Sequence, residues 1–167
     1  MSNELDLETW AHVEIKGLML DPGSNVPIVI LRERGSDDFL PIWIGVFEAN
    51  AIALKLENVE SQRPMTHDLM TTLLEKVSAT VHRIEISDLS NNTFYAKIVI
   101  DLDGDVVAID SRPSDAMALA LRVDAPIYVA RTVLDRARSD DLGEKLTDEE
   151  KIRKLLEEID PDDLNVM

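Results

Sequence analysis

Three segments near the start of the chain show the period-two alternation of apolar and polar residues, or the β-branched runs, that are typical of β-strands. These segments are residues 13–20, 26–33 and 39–44. The period then changes to that of a helix over residues 48–57, where the apolar positions are Ala49, Ile52, Ala53 and Leu56. The first part of the chain is therefore predicted to follow the order strand, strand, strand, helix.

The same order returns later in the chain. A second helix is predicted with Thr66 as its N-cap and with an apolar stripe formed by Met70, Leu73, Leu74 and Val77. The strand pattern then recurs over residues 80–88, 93–102 and 105–110. A helix over 115–123 completes the β-β-β-α order for the second time, and residues 127–139 indicate a further short strand and helix.

The two β-β-β-α segments also match residue by residue at a shift of 67 positions. Glu48 falls on Asp115, the three alternate alanines that follow each acid coincide, and Asn25 falls on Asn92. This agreement predicts an internal duplication, and two such units must bury their sheets against each other. The predicted fold class is α+β, with internally duplicated β-β-β-α units forming a curved, barrel-like mixed sheet flanked by helices around a pseudo-twofold axis.

The length of 167 residues corresponds to one domain with a tail. We expect the domain to cover residues 1–140 and an acidic C-terminal helical tail to cover 141–167, with Thr147 capping a helix that ends before Pro161. Exposed strand edges and the apolar side of the tail helix favour a homo-oligomer.

The composition excludes several classes of function. A formal net charge of −16 excludes a broad basic groove for nucleic acid, because non-specific binding to a polyanion needs many Lys and Arg side chains. The apolar segments are of strand length, far short of the roughly 20 residues that cross a membrane, and the N-terminus lacks the features of a secretory signal. The absence of cysteine excludes disulfides and thiolate metal sites and suits the cytoplasm, where we expect the protein to reside.

Two carboxylates are the first candidates for chemistry. Glu48 and Asp115 lie in the opening turns of the two matched helices, and the pseudo-symmetry predicts that they lie near each other. Together they are candidate ligands for Mg²⁺ or Mn²⁺, an ion that activates water and neutralises phosphate charge. The alternative is that both acids only complement the dipoles of their helices.

Two further groups of residues surround these acids in the sequence. Arg112 and Ser114 precede the second matched helix, where an arginine, a hydroxyl and free helix amides suit a phosphate, although Arg112 paired with a neighbouring acid is the alternative. Arg63 is a second candidate for phosphate binding. His67 is a candidate general base, and Asp68 a candidate metal ligand; alternatively, His67 is a half-buried polar residue and Asp68 a helix-dipole acid.

Four segments then carry a resemblance to a known family. They are LPIWIGVFEANAIA, RPMTHDLM, NNTFYAKIVI and IDSRPSDAMALALR, in this order and spacing. The chain resembles the bifunctional nuclease domain family of bacteria and plants over about residues 13–138. The resemblance implies an α+β fold, homo-oligomerisation and a nuclease that degrades both DNA and RNA.

Two hypotheses of function follow. The first is a metal-dependent nuclease in which Glu48, Asp115 and Asp68 hold the cation, His67 assists water, and the two arginines with Ser114 hold phosphate. The second is a non-catalytic anion-binding or assembly module of the same fold, which the net charge favours.

Overall fold

The computed structural model describes residues 5–139 of the chain. The elements within this range are β1 (Trp10–Leu20), β2 (Pro27–Glu33), β3 (Phe39–Trp43), α1 (Val46–Leu56), α2 (Thr66–Lys76), β4 (Ala79–Ser90), β5 (Thr93–Leu102), β6 (Asp105–Ser111), α3 (Pro113–Val123), β7 (Ile127–Ala130) and α4 (Arg131–Ser139). The predicted order of strands and helices is confirmed, with ends that differ from the prediction by up to three residues.

The strands form one seven-stranded mixed sheet in the order β3-β2-β1-β7-β4-β5-β6. Strands β1, β2 and β3 pair antiparallel on one side of β7, and β4, β5 and β6 pair antiparallel on the other side. The short strand β7 joins the two groups, because it pairs antiparallel with β1 and parallel with β4. The predicted α+β class with a mixed sheet is confirmed.

The sheet is open, so the predicted barrel-like closure is wrong. Strands β3 and β6 stand at the two ends of the strand order, and no pairing joins them within residues 5–139. A barrel requires every strand to have two neighbours. The two halves of this sheet meet only once, through β7, and their outer strands remain edges.

Several backbone features recur between the two halves. Helices α1 and α3 each have eleven residues, begin 67 positions apart, and carry Glu48 and Asp115 at their third positions. Asn25 and Asn92, also 67 positions apart, both adopt a left-handed backbone conformation, with φ of 57° and 58°. These features are what a duplication requires, although the duplication itself stays a prediction that a superposition of the halves would test.

Buried side chains from both halves form one hydrophobic core between the sheet and the helices. Val29 and Leu31 come from the first half of the sheet, and Ile84, Ile86 and Ile98 from the second. Helices α1 and α3 pack against each other and contribute mainly alanine to this core. Because alanine is small, the two helix backbones can approach closely, and this brings residues of their first turns into contact.

Helix α2 differs in detail from its prediction. Its N-cap is Met65 and not Thr66, because the helix begins one residue earlier and the Asp68 carboxylate accepts a hydrogen bond from the Met65 amide at 2.9 Å. Of its predicted apolar stripe, Met70 and Leu74 pack against the core, while Leu73 and Val77 are exposed. The buried face runs through His67 instead, which is 6% exposed.

The predicted homo-oligomer and the predicted tail helix are not settled by these elements. Strand β6 leaves one long edge open and exposes Val106, Val107 and Ile109, a surface that suits self-association. The boundary at residues 140–141 and the helix predicted from Thr147 lie outside the described residues. Among residues 5–139, no helix is long and apolar enough to cross a membrane. The cytoplasmic location stays a prediction.

Candidate functional site

The first turns of α1 and α3 meet at one arginine. The Nη2 atom of Arg112 donates a hydrogen bond to Glu48 Oε1 at 2.8 Å, and its Nε atom donates to Asp115 Oδ2 at 2.8 Å. The structure therefore brings Glu48 and Asp115 together, as the pseudo-symmetry predicted, and it places a guanidinium between them. The Arg112 side chain is 66% exposed, whereas that of Glu48 is 16% exposed.

A glycine allows the Glu48 carboxylate to take this position. Gly45 is the N-cap of α1, and a Cβ atom added to it would overlap with Glu48 Oε2. At the corresponding position of α3, the N-cap is Arg112 itself. The N-cap of α1 therefore has no side chain and leaves room for the Glu48 carboxylate. The N-cap of α3 is the arginine to which both Glu48 and Asp115 bind.

Helix α2 adds a histidine to the same cluster. The Nε2 atom of His67 lies 2.9 Å from Asp115 Oδ1. An ionised carboxylate can only accept, so Nε2 carries the proton of this bond. Asp115 therefore binds an imidazole with one oxygen and a guanidinium with the other.

The electrostatics favour an ionised Asp115. Burial opposes the charge on this carboxylate, but the hydrogen bonds from Arg112 and then His67 outweigh it and hold the pKa of Asp115 below its ordinary value. The same contacts act on the partner: the bond to Asp115, followed by that to Glu48, raises the pKa of Arg112. At neutral pH the cluster consists of a charged arginine and charged Asp115.

Asp68 lies apart from this cluster and forms a different ion pair. Its Oδ1 atom accepts a hydrogen bond from Arg122 Nε at 2.6 Å, and this bond is the main reason why the pKa of Asp68 is lowered. Arg122 also donates to the carbonyl oxygens of Ala118 at 2.8 Å and Ala51 at 3.1 Å. One side chain thereby ties α2 to α1 and α3.

Sequence reasoning missed two residues that hold the site together, Arg122 and Gly45. Arg122 corresponds to Lys55 at the 67-residue shift. A basic residue in the last turn of both α1 and α3 was therefore the sequence feature that could have drawn attention to Arg122. For Gly45, the signal was its place immediately before a matched helix, opposite Arg112. Neither signal shows by itself which atoms these residues contact.

The two remaining candidates lie in different surroundings. Ser114 follows Arg112, is 6% exposed, and with it lines a cavity of about 250 Å³. Arg63 is exposed in the loop of residues 57–65 between α1 and α2, and no ion pair or hydrogen bond links it to Glu48 or Asp115 among residues 5–139. The structure therefore brings Ser114 to the cluster and leaves Arg63 outside its contacts.

The three candidate metal ligands, Glu48, Asp68 and Asp115, are only partly suited to binding a divalent cation as they are placed. Within residues 5–139, no three His, Asp or Glu side chains are grouped closely enough to hold a metal ion. Glu48 and Asp115 both bind Arg112, and Asp68 binds Arg122. Mg²⁺ in phosphate-processing sites is often held by one or two carboxylates together with substrate phosphates. Glu48 and Asp115 fit that arrangement only if Arg112 leaves them.

The comparison with known families bears directly on this cluster. The family model described as the bifunctional nuclease domain matches residues 29–141, a range that includes every residue of the candidate site. The chain belongs to this family. The resemblance that four motifs predicted is thereby confirmed for the bifunctional nuclease domain.

Relatives of this bifunctional nuclease domain are of two kinds. An uncharacterized protein of Mycobacterium tuberculosis is 40% identical over 160 residues, which cover 90% of this chain and 96% of that protein. The rice protein named Bifunctional nuclease 1 is 26% identical over 116 residues, 68% of this chain and 35% of that protein. Bifunctional nuclease 2 of Arabidopsis thaliana is 27% identical over 142 residues, 79% of this chain and 42% of that protein.

Proposed function

We propose that this bifunctional nuclease domain hydrolyses phosphodiester bonds of DNA and RNA at the cluster of Glu48, His67, Arg112 and Asp115. The observation that carries the proposal is the double contact of Asp115, which holds an imidazole at 2.9 Å and a guanidinium at 2.8 Å. A candidate base oriented by a carboxylate, next to a cation for phosphate, is the set of groups that this hydrolysis needs. The names of the plant relatives support the same reaction class.

Arg112 is assigned the first contact with substrate. Its side chain is largely exposed, so it can turn from the two carboxylates toward an incoming phosphate, to which an arginine binds in bidentate fashion. Ser114 and the free amides at the start of α3 lie beside it and add neutral donors. A few local donors of this kind let a chain of net charge −16 hold a phosphodiester without a basic groove.

His67 and Asp115 are assigned the proton transfer. Asp115 orients the imidazole through Nε2, and we assign the other ring nitrogen to take a proton from the water that attacks phosphorus. The P–O bond to the leaving sugar oxygen breaks as the new P–O bond forms, and the leaving oxygen takes up a proton from the solvent. The ionised carboxylate then stabilises the imidazolium that forms. The arrangement uses the same logic as other carboxylate–histidine pairs in hydrolytic enzymes.

Mg²⁺ or Mn²⁺ completes the proposal. Once Arg112 turns to the phosphate, Glu48 and Asp115 would hold the ion together with phosphate oxygens. A bound ion of this kind lowers the pKa of water and neutralises phosphate charge. Asp68 is assigned to anchoring α2 through Arg122, since a role as a third ligand would break that ion pair.

Digestion of DNA and RNA by highly purified protein tests the proposal. We expect cleavage of both with Mg²⁺ or Mn²⁺, loss of cleavage in EDTA, and a strongly reduced but measurable rate after Glu48→Gln. Arg112→Ala should mainly raise KM, because it removes a phosphate donor. Full activity in both folded variants would assign the cleavage to a contaminant and favour the non-catalytic anion-binding module.

Gly45→Ala should lower cleavage by on the order of tenfold, because small displacements of a catalytic group reduce rates strongly. The new Cβ overlaps with the Glu48 carboxylate and pushes it from Arg112. In the Glu48→Gln background the same substitution should have little further effect, which a double-mutant cycle of cleavage rates measures. Equal effects of Gly45→Ala in both backgrounds would contradict this link. Gly17→Ala is the control, since a Cβ there meets no atom within 4 Å.

A further inference from the structure

A cavity of about 250 Å³ opens next to Arg112, and the proposed reaction uses only its side formed by Arg112 and Ser114. It lies where the end of β3 approaches the β4–β5 turn and the start of α3. Its lining includes Ile42, Trp43, Asn92, Phe94, Arg112 and Ser114. The volume is slightly below the roughly 300–1,000 Å³ of pockets for drug-sized ligands, so it suits a single small ring system.

Two aromatic side chains lie in the wall of this cavity. Trp43 is half-buried at the end of β3, and its Nε1 atom donates a hydrogen bond to Asp21 Oδ2 at 3.0 Å, which fixes the orientation of the indole. Phe94 is half-buried at the start of β5. Held aromatic rings of this kind are the surfaces on which unpaired nucleobases stack.

A buried hydroxyl faces the same space. Ser114 is 6% exposed, and its hydroxyl forms no hydrogen bond with another residue of the described chain. Every fully buried side-chain nitrogen or oxygen of residues 5–139 has a partner, so this hydroxyl is in part accessible, and its residue lines the cavity. A largely enclosed hydroxyl of this kind takes its hydrogen-bond partner from water or from a ligand.

We propose that this cavity binds one unpaired nucleobase of the substrate, beside the phosphate that Arg112 holds. This inference rests on the proposed function and adds a substrate class to it, namely single-stranded nucleic acid. Trp43 and Phe94 form the apolar walls for the base, Asn92 supplies polar groups for its edge, and Ser114 lies on the side of the phosphate. Arg112 lines the cavity and also belongs to the catalytic cluster, so base and phosphate bind on adjacent sides of one residue.

A base within a duplex cannot enter such a cavity unless it leaves its stack. Unpairing and unstacking cost a few kcal/mol, and the cost is least for bases that are already single-stranded. Sequence preference should be weak, because every base has a face that can stack. The domain should therefore cut loops and single strands of both DNA and RNA ahead of duplexes.

Binding of adenosine 5′-monophosphate and ribose 5-phosphate, followed by NMR titration, tests the cavity without any cleavage. The two ligands share a phosphate and differ in the base. We expect the nucleotide to bind about five- to 150-fold more tightly, since stacking of one base contributes about 1–3 kcal/mol and 1.4 kcal/mol is a factor of ten. Phe94→Leu should remove most of this preference, while the control Phe39→Leu, on β3 outside the cavity, should retain it. Equal affinity for the two ligands, or equal effects of the two variants, would overturn the inference.

Cleavage of a hairpin oligonucleotide separates this inference from the proposed function. We expect cuts in the unpaired loop and few in the stem, and loss of that preference in Phe94→Leu. Equal cutting of loop and stem would overturn the base site and leave the nuclease proposal standing. Tight nucleotide binding without any cleavage would support the base site and overturn the nuclease proposal.

Discussion

Asp115→Asn is expected to lower the rate of phosphodiester cleavage by about 10²-fold or more, because removal of the carboxylate behind a catalytic histidine has a large effect in hydrolytic enzymes. Asp115 accepts hydrogen bonds from His67 and Arg112 with its two oxygens. Asparagine keeps the shape but has one accepting oxygen and a donating amide, so it can satisfy only one of these donors. The substitution therefore weakens two contacts at once: the one that orients the His67 imidazole and the one that holds the Arg112 guanidinium.

The chain offers a matched control for this experiment. Asp101 lies 3.5 Å from His82 Nε2, in a second carboxylate–histidine pair that contacts neither Glu48 nor Arg112. Asp101→Asn removes the same charge beside a histidine and should leave cleavage almost unchanged. The decisive comparison is the turnover rate of the two variants at saturating substrate, with circular dichroism to show that both are folded. Equal rates for both variants and the parent protein would remove Asp115 from the mechanism.

Arg122→Ala is expected to lower the free energy of unfolding by about 3 kcal/mol, the lower end of the range for breaking a buried ion pair, because Asp68 retains partial contact with water. The Arg122 side chain is 7% exposed and that of Asp68 is 38% exposed. The substitution also takes one hydrogen-bond donor from each of the carbonyl oxygens of Ala51 and Ala118. Helix α2 should be held less firmly as a result.

Urea unfolding measures this loss, and Arg138→Ala is the control. Arg138 pairs with Asp38 at the surface, where both side chains are about half exposed, and such pairs contribute about 0–1 kcal/mol. Arg122→Lys should recover only part of the loss, because an ammonium cannot reproduce three hydrogen bonds from a planar fork. A loss for Arg122→Ala no larger than that for Arg138→Ala would show that this ion pair does not anchor α2.

Much of the fold was predictable because it depends on local patterns. Alternation in β3, the continuous apolar run of β2, and helical spacing in α1 and α3 follow from which sides of each element face the core. The position of β7 was not predictable in this way. A strand of four residues has too short a pattern to show its neighbours, and its pairing with β1 joins residues such as Trp10 and Ala130. The pairing of β7 with β1 and β4 is what joins the two three-stranded groups into one open sheet.

The candidate site was predictable only as far as symmetry reached. The 67-residue shift placed Glu48 opposite Asp115, and the structure brings both to Arg112. His67 lies on α2, outside the two matched segments, so the shift could not place it. Arg122 has Lys55 as its counterpart at that shift, but the shift does not show that its side chain binds Asp68 on α2. Whether an arginine binds an acid or a phosphate depends on distances of about one ångström, which sequence patterns do not resolve.

The central position of β7 has a consequence for the synthesis of the protein. The two three-stranded groups leave the ribosome before residues 127–130, and until then β1 and β4 have no neighbour on their inner sides. Pairings between distant parts of a chain form slowly, and open strand edges are prone to pair with other chains. The nascent chain is therefore vulnerable to aggregation until residues 127–130 have been added. A premature stop before Ile127 would leave both inner edges open permanently.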